Sequence, residues 1–176
     1  MRNWMMIGAA AFALAGCEIK SSAPERDGAA ASAEAPSQAE AEKIVADMHA
    51  SFTGGDAFKI MEHYAPGAVM FDPAHPEPSD DRAVQTKWAS DFVTMKPSDL
   101  VSTTRPVQVL DKDTIVASGI AAFLADLGPN RERLSVRYSQ VFQRQPDGSW
   151  KIAHEHMSMP PAPMTAPQTL QPAPLP

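Results

Sequence analysis

The sequence predicts an α+β domain in which three N-terminal helices pack on one face of a curved, mostly antiparallel sheet. Three observations carry this reading. Between residues 37 and 95 apolar side chains recur at helical spacing. From residue 100 onward, runs rich in Val, Ile, Thr and aromatic residues alternate between turn signals. The helical block also precedes the strand block instead of alternating with it, which is the order of a segregated α+β fold. A sheet bent around helices leaves a conical cavity at one end, and function is expected there.

Ser37 and Glu40 form a capping-box signature, the serine hydroxyl and the carboxylate three residues on each satisfying an orphan amide. Ala41, Ile44, Val45, Met48 and Phe52 then mark the first helix, which Gly54-Gly55 ends. Asp56 caps a second helix with Ala57, Ile60, Met61 and Tyr64 on one face, ended by Pro66-Gly67. A short strand from Ala68 to Asp72 breaks at Pro73, and Ser79 or Asp80 caps a third helix carrying Val84, Trp88, Phe92 and Met95. Residues 100–110 read as a strand closed by Asp111-Lys112-Asp113, and residues 114–126 as its partner before a turn at 127–130. In residues 133–144, Leu134, Val136, Tyr138, Gln140 and Phe142 share one face. After Pro146-Asp147-Gly148 the last strand runs from Ser149 to Met159. Period two places Trp150, Ile152, His154, His156 and Ser158 on the core face and Lys151, Ala153, Glu155 and Met157 on the other, unless a bulge inverts the order.

The chain has 176 residues, 15 Lys+Arg against 21 Asp+Glu, and a net charge of −6. An acidic chain without a basic run argues against nucleic acid as a partner. Its single cysteine excludes an internal disulfide and a thiolate zinc cluster. Residues 1–17 combine Arg2, an apolar run from Met5 to Ala15 and the ending Leu14-Ala15-Gly16-Cys17. The run has the length of a signal-peptide core and is too short to span a bilayer. The ending resembles a bacterial lipobox, which implies lipid on Cys17, membrane anchoring through it and a domain facing the periplasm. Glu18, in place of an aspartate, favours the outer membrane. Residues 18–36, with 12 Ala, Ser, Gly or Pro out of 19, read as a flexible tether. Residues 37–160 are the domain, and residues 161–176 a proline-rich tail expected to be extended or disordered.

Two stretches go further. The first runs from Gly55-Asp56 through Tyr64 to Asp72-Pro73. The second is YSQVFQRQPDGSWKIAHEHMSMP, with Gly148, Trp150, Ile152, His156 and Ser158. Together, in this order, they resemble the nuclear transport factor 2-like superfamily, also called SnoaL-like or ketosteroid isomerase-like, over about residues 37–160. The resemblance implies a cone-shaped α+β domain, no cofactor, and pairing of two copies through the open sheet face. In the steroid isomerases a carboxylate at the end of the first strand moves a proton, and the resemblance places Asp72 there. Asp72 could act as that base, or it could cap the turn into Pro73 or hold a neighbouring cation. The two isomerase oxyanion donors correspond to Met48 and Gln140. Methionine cannot donate and a glutamine amide is a weaker, neutral donor, while one such donor is commonly worth ~3 kcal/mol. Steroid isomerase activity is therefore not expected.

His154 and His156 offer an acid and a base of the kind the family's dehydratases use, or two metal ligands with Asp72; the plain alternative is a His156 bonded to a loop carbonyl. No metal is expected. Arg137 is read as a solvated side chain or as the partner of an acid. Tyr64, Trp88, Phe92, Tyr138, Gln140 and Phe142 are candidate ligand contacts, although aromatic residues in such positions are more often core. The first expectation for function is a small, mostly apolar ligand held in the cone. The alternatives are a proton-transfer isomerase or lyase using Asp72 and His156, and a dimeric interaction scaffold.

Overall fold

The computed structural model describes residues 34–104 and 107–161. The signal segment, Cys17, most of the tether and the tail from residue 162 lie outside the described residues. Among those that are described, no helix is long and apolar enough to cross a membrane.

Helix α1 (Gln38–Ser51) starts at the capping box, with Ser37 and Glu40 bonded reciprocally. It buries Ala41, Val45, Met48 and His49. Helix α2 (Ala57–Glu62) is capped by Asp56, which accepts from the amides of Phe58 and Lys59. It ends two residues before Tyr64, so the tyrosine expected on its face lies outside the helix. Strand β1 (Tyr64–Phe71) begins with that tyrosine and runs through Pro66-Gly67 instead of starting after them. Gly67 has φ +72° and the pairing register shifts between Tyr64 and Val69, so these two residues form an irregularity inside the strand. Helix α3 (Arg82–Thr94) is capped by Asp81, not by Ser79 or Asp80. The Ser79 backbone instead exchanges two 3.0 Å hydrogen bonds with Met70. Helix α3 buries Gln85, Trp88 and Ala89 and leaves Val84 exposed.

The predicted strand 100–110 divides into β2 (Ser98–Thr104) and β3 (Gln108–Val109), both paired to β4 (Thr114–Leu127). Strands β5 (Asn130–Arg144) and β6 (Trp150–Ser158) complete an open, curved, mixed sheet of order β1-β6-β5-β4-β2. All its pairs are antiparallel except β1 with β6. The core joins the inner sheet residues Ile115, Ala117, Tyr138, Phe142 and Ile152 to Val45 and Met48 of α1, Ile60 of α2 and Trp88 of α3. Helices thus cover one sheet face, as the segregated element order demands.

One irregularity positions the site. Phe142 pairs with Ile152 but Val141 pairs with His154, so Ala153 is an extra residue in β6. The bulge inverts the inside-outside order beyond it. Ile152 points to the core as predicted, but from there on the inward residues are Glu155 and Met157, and His154 and His156 face outward.

Candidate functional site

An apolar cleft of about 300 Å³ opens between α3 and the inner face of β4, β5 and β6. Trp88, Phe92, Phe123, Leu134, Val136 and Met157 form its walls, and Asp72 stands at its rim. Asp72 follows the last residue of β1, and Pro73 prevents further pairing. Its Oδ1 accepts from the Ala74 amide at 2.7 Å, the turn-capping bond expected ahead of a proline turn, and lies 3.4 Å from His75 Nδ1. Its Oδ2 accepts from the indole Nε1–H of Trp88 at 2.8 Å. The carboxylate is thereby fixed in orientation by two neutral donors at the edge of an apolar wall.

Trp88, Phe92, Phe123, Val136 and Met157 continue from the cleft into a narrow inner chamber of about 40 Å³, whose further lining includes Phe52, Tyr138, His49, Gln140 and Glu155. Glu155 is fully buried. Tyr64 donates its hydroxyl to Glu155 Oε2 at 2.6 Å, and Gln140 Nε2 donates to Oε1 at 2.5 Å. Gln140 therefore turns its amide oxygen toward His49 Nε2, 3.3 Å away. That oxygen only accepts, so His49 carries its proton on Nε2. Burial pushes the Glu155 carboxyl up, with the charge of Asp72 adding to the effect, while the bonds from Tyr64 and Gln140 oppose it. Burial likewise raises Tyr64 well above its ordinary value and lowers His49. Every buried side-chain polar atom among the described residues has a partner. On the other side of His49 and Leu100, a groove of about 560 Å³ runs between α1 and β2.

The structure brings Asp72, Trp88 and Phe92 together at the cleft, and Tyr138 and Gln140 at the chamber. Tyr138 Oη is 2.9 Å from Ser102 Oγ. Tyr64 and Phe142 belong to the core, Tyr64 reaching the site only through Glu155. Met48 sits beside Gln140, its sulfur 4.0 Å from the amide nitrogen, so the two positions that lack strong oxyanion donors are neighbours. His154 and His156 are removed from the site. Both rings pack against Phe71 on the outer sheet face, with centroids 5.7 and 5.4 Å away, because the bulge at Ala153 turns them outward. They assemble with Asp72 neither as an acid–base pair nor as a metal set. Among the described residues no group of three or more His, Cys, Asp or Glu side chains is placed to hold a metal ion.

Glu155, His49 and His75 were not read from the sequence as site residues. Strict alternation assigns Glu155 to the outer face, and His49 lies one position beside the apolar stripe of α1. The available signal was an ionisable residue embedded in each apolar segment, a weak one without the bulge position.

Three solved structures share the fold. A protein from Xanthomonas campestris assigned as a calcium/calmodulin dependent protein kinase II association domain is 27% identical, with TM-score 0.63, over 72% of this chain and 90% of its own. A ketosteroid isomerase-like protein from Erwinia carotovora atroseptica is 13% identical, with TM-score 0.61, over 69% and 95%. A nuclear transport factor 2-like superfamily protein from Salmonella enterica serovar Typhimurium is 18% identical, with TM-score 0.58, over 74% and 95%. No curated protein matches the sequence. The α+β domain is thus a nuclear transport factor 2-like cone, and the SnoaL-like domain model matches residues 41–162. A segregated helix-then-strand order, a cone closed by α3 and a match across most of the chain make the assignment direct: this protein belongs to the SnoaL-like domain family.

Proposed function

We propose that the domain binds a small, mostly apolar molecule in the cleft at Asp72. The observation that carries this reading is a cleft of about 300 Å³ walled by Trp88, Phe92, Phe123, Leu134, Val136 and Met157, with the oriented carboxylate of Asp72 at its rim. Apolar walls with few fixed polar groups are the usual composition of a small-molecule site. A ligand bound at 100 times its Kd stabilises the fold by about 2.7 kcal/mol. Native mass spectrometry of the full chain, together with thermal unfolding in the presence of 2-(1-naphthyl)ethanol as a neutral probe, tests it. Retained small molecules or a raised Tm support the reading; the absence of both, with charged probes of the same shape also failing to bind, refutes it.

A proton-transfer enzyme is the second reading. Its support is the 3.4 Å approach of His75 Nδ1 to Asp72, an acid–base pair at the mouth of an apolar cleft that does not involve His156. Loss of turnover in His75→Gln with unchanged stability would favour it.

Two further features belong to the proposal. Lipid on Cys17 anchors the chain in the bacterial envelope, with the domain in the periplasm and the outer membrane favoured; the lipobox ending supports this. A Cys17→Ser variant should then leave the membrane fraction. Two copies pair through the outer sheet face, supported by the exposed Phe71, Val101 and Ile120 and by the assembling role that the name of the Xanthomonas neighbour carries.

A further inference from the structure

Among the described residues, the carboxyl at the floor of the site has no cationic side chain beside it. Glu155 is fully buried, and its hydrogen bonds come from a hydroxyl and an amide. The donors all point the same way: His49 to Gln140, Gln140 to Glu155, and Tyr64 to Glu155. Arg82, which reaches the Tyr64 side of this network, spends its guanidinium on the backbone carbonyls of Met61 and Tyr64. Among the described residues, no lysine or arginine lines the cleft or the chamber. Asp91, at the cleft, is already paired with Lys87 at 2.6 Å. Asp72 adds a second carboxylate whose partners are an indole, an amide and the imidazole of His75. Around these two acids stand the rings of Phe52, Trp88, Phe92, Phe123 and Tyr138, whose electron-rich faces attract cations.

We propose that the molecule this site takes is a lipophilic ammonium, its apolar body against Trp88, Phe92 and Met157 and its positive charge on Asp72, with Glu155 behind it. The inference rests on the cleft being a ligand site and specifies the chemical class of the occupant. Two carboxyls in a dry aromatic cavity are costly to keep ionised without a cation, and a cation entering the cavity removes that cost. Neutral and anionic molecules of the same shape do not. A second consequence follows from linkage. Burial favours the protonated form of Glu155, so an arriving ammonium drives the proton off, and amine binding is accompanied by proton release.

The test uses three probes of one shape, 2-(1-naphthyl)ethylamine, 2-(1-naphthyl)ethanol and 1-naphthylacetate, titrated calorimetrically into the full chain. The titrations are run at pH 8, where the imidazole of His49, lowered by burial, is neutral. The expected result is amine binding about tenfold or more tighter than the alcohol, the acetate weakest, and a collapse of the amine-to-alcohol ratio in both E155Q and D72N. Titrations in phosphate and in ACES near neutral pH should differ in heat by the protons released, and the difference should shrink in E155Q. D72N keeps an oxygen for the Trp88 donor, so it serves if E155Q does not fold. Equal binding of amine and alcohol, or preference for the acetate, overturns the cation inference and leaves the cleft standing as an apolar site. Failure of all three probes to bind overturns both.

Discussion

The indole Nε1–H of Trp88 donates to Oδ2 of Asp72 across 2.8 Å, tying the middle of α3 to the end of β1. The bond closes one edge of the cleft and stacks Trp88 on Phe92, with centroids 5.8 Å apart and planes 19° from parallel. It adds to the bonds from Gln85 to the Ala68 carbonyl and from Arg82 to the Tyr64 carbonyl that also hold α3 against β1.

Trp88→Phe keeps an aromatic ring in the wall but deletes the donor, leaving Oδ2 of a half-buried carboxylate unmatched. The expected cost is about 1.5–3 kcal/mol, the range for a hydrogen bond to a charged group. Urea unfolding followed by circular dichroism should show the midpoint falling with an unchanged m-value. A midpoint equal to that of the wild type would mean the bond adds nothing.

Gly119 explains how β4 accommodates its neighbours. A Cβ there would lie 2.2 Å from the backbone oxygen of Thr103 and 2.7 Å from Tyr138 Oη. A tyrosine rotamer can relieve the second clash, whereas the first needs β2 to move. Gly119→Ala is expected to cost about 3 kcal/mol, the upper range of overpacking. Adding Tyr138→Phe should restore only a minor part of it, because the carbonyl contact remains. Thermal unfolding of the single and double variants decides this.

Much of the fold was legible because it rests on local chemistry. The Ser37–Glu40 box, the Asp56 cap and the alternation of Tyr138, Gln140 and Phe142 are each fixed by a few neighbouring residues, and each stands where the sequence puts it. Asp72, Trp88 and Phe92 were legible as candidates and do converge on one cleft. The histidines failed for a single reason. Alternation along β6 is a count from one end, and the extra residue Ala153 shifts that count by one. Nothing in the side chain of an alanine announces a bulge. The cap of α3 failed similarly: Ser79, Asp80 and Asp81 are all good caps, and the bridge from Ser79 to Met70 removes the first from contention.

The buried acid and the buried imidazole should pull stability in opposite directions with pH. The Glu155 carboxyl is raised above its ordinary value near 4.5, so its protonated form is the one the fold favours. Stability from this group is present below about 4.5 and falls as pH rises through the folded-state pKa. His49 is lowered from about 6.5, so its contribution is complete above that value and is lost as pH falls through the folded-state pKa. Glu155→Gln should therefore gain on the wild type as pH rises from 4.5 to 8, and His49→Gln should gain on it as pH falls below 6.5. Each slope is at most about 1.4 kcal/mol per pH unit. Denaturant melts at four pH values would expose the error if either difference runs the other way.

The outer sheet face gives the last prediction. Because β6 is bulged, this face carries Val69, His154, Val141 and Val116 in one cross-strand row and Phe71, His156, Ser139 and Ser118 in the next. Ile120, opposite the exposed Arg137, extends the apolar area toward Val101. A row of aliphatic and small side chains flanked by histidines and one arginine suits a copy of itself about a two-fold axis, where about 800 Å² per copy is the usual requirement for a stable pair. Ile120 lies in β4 and is 48% exposed, so Ile120→Asp should cost an isolated domain about 1 kcal/mol, the span of strand propensity, and leave it folded. The same substitution would place two carboxylates against each other's apolar surface in the pair. Sedimentation velocity at micromolar concentration should therefore show the wild type as a dimer and Ile120→Asp as a monomer with an unaltered far-ultraviolet spectrum. A wild type that sediments as a monomer, or a charged variant that still dimerises, would assign pairing to another surface or to none.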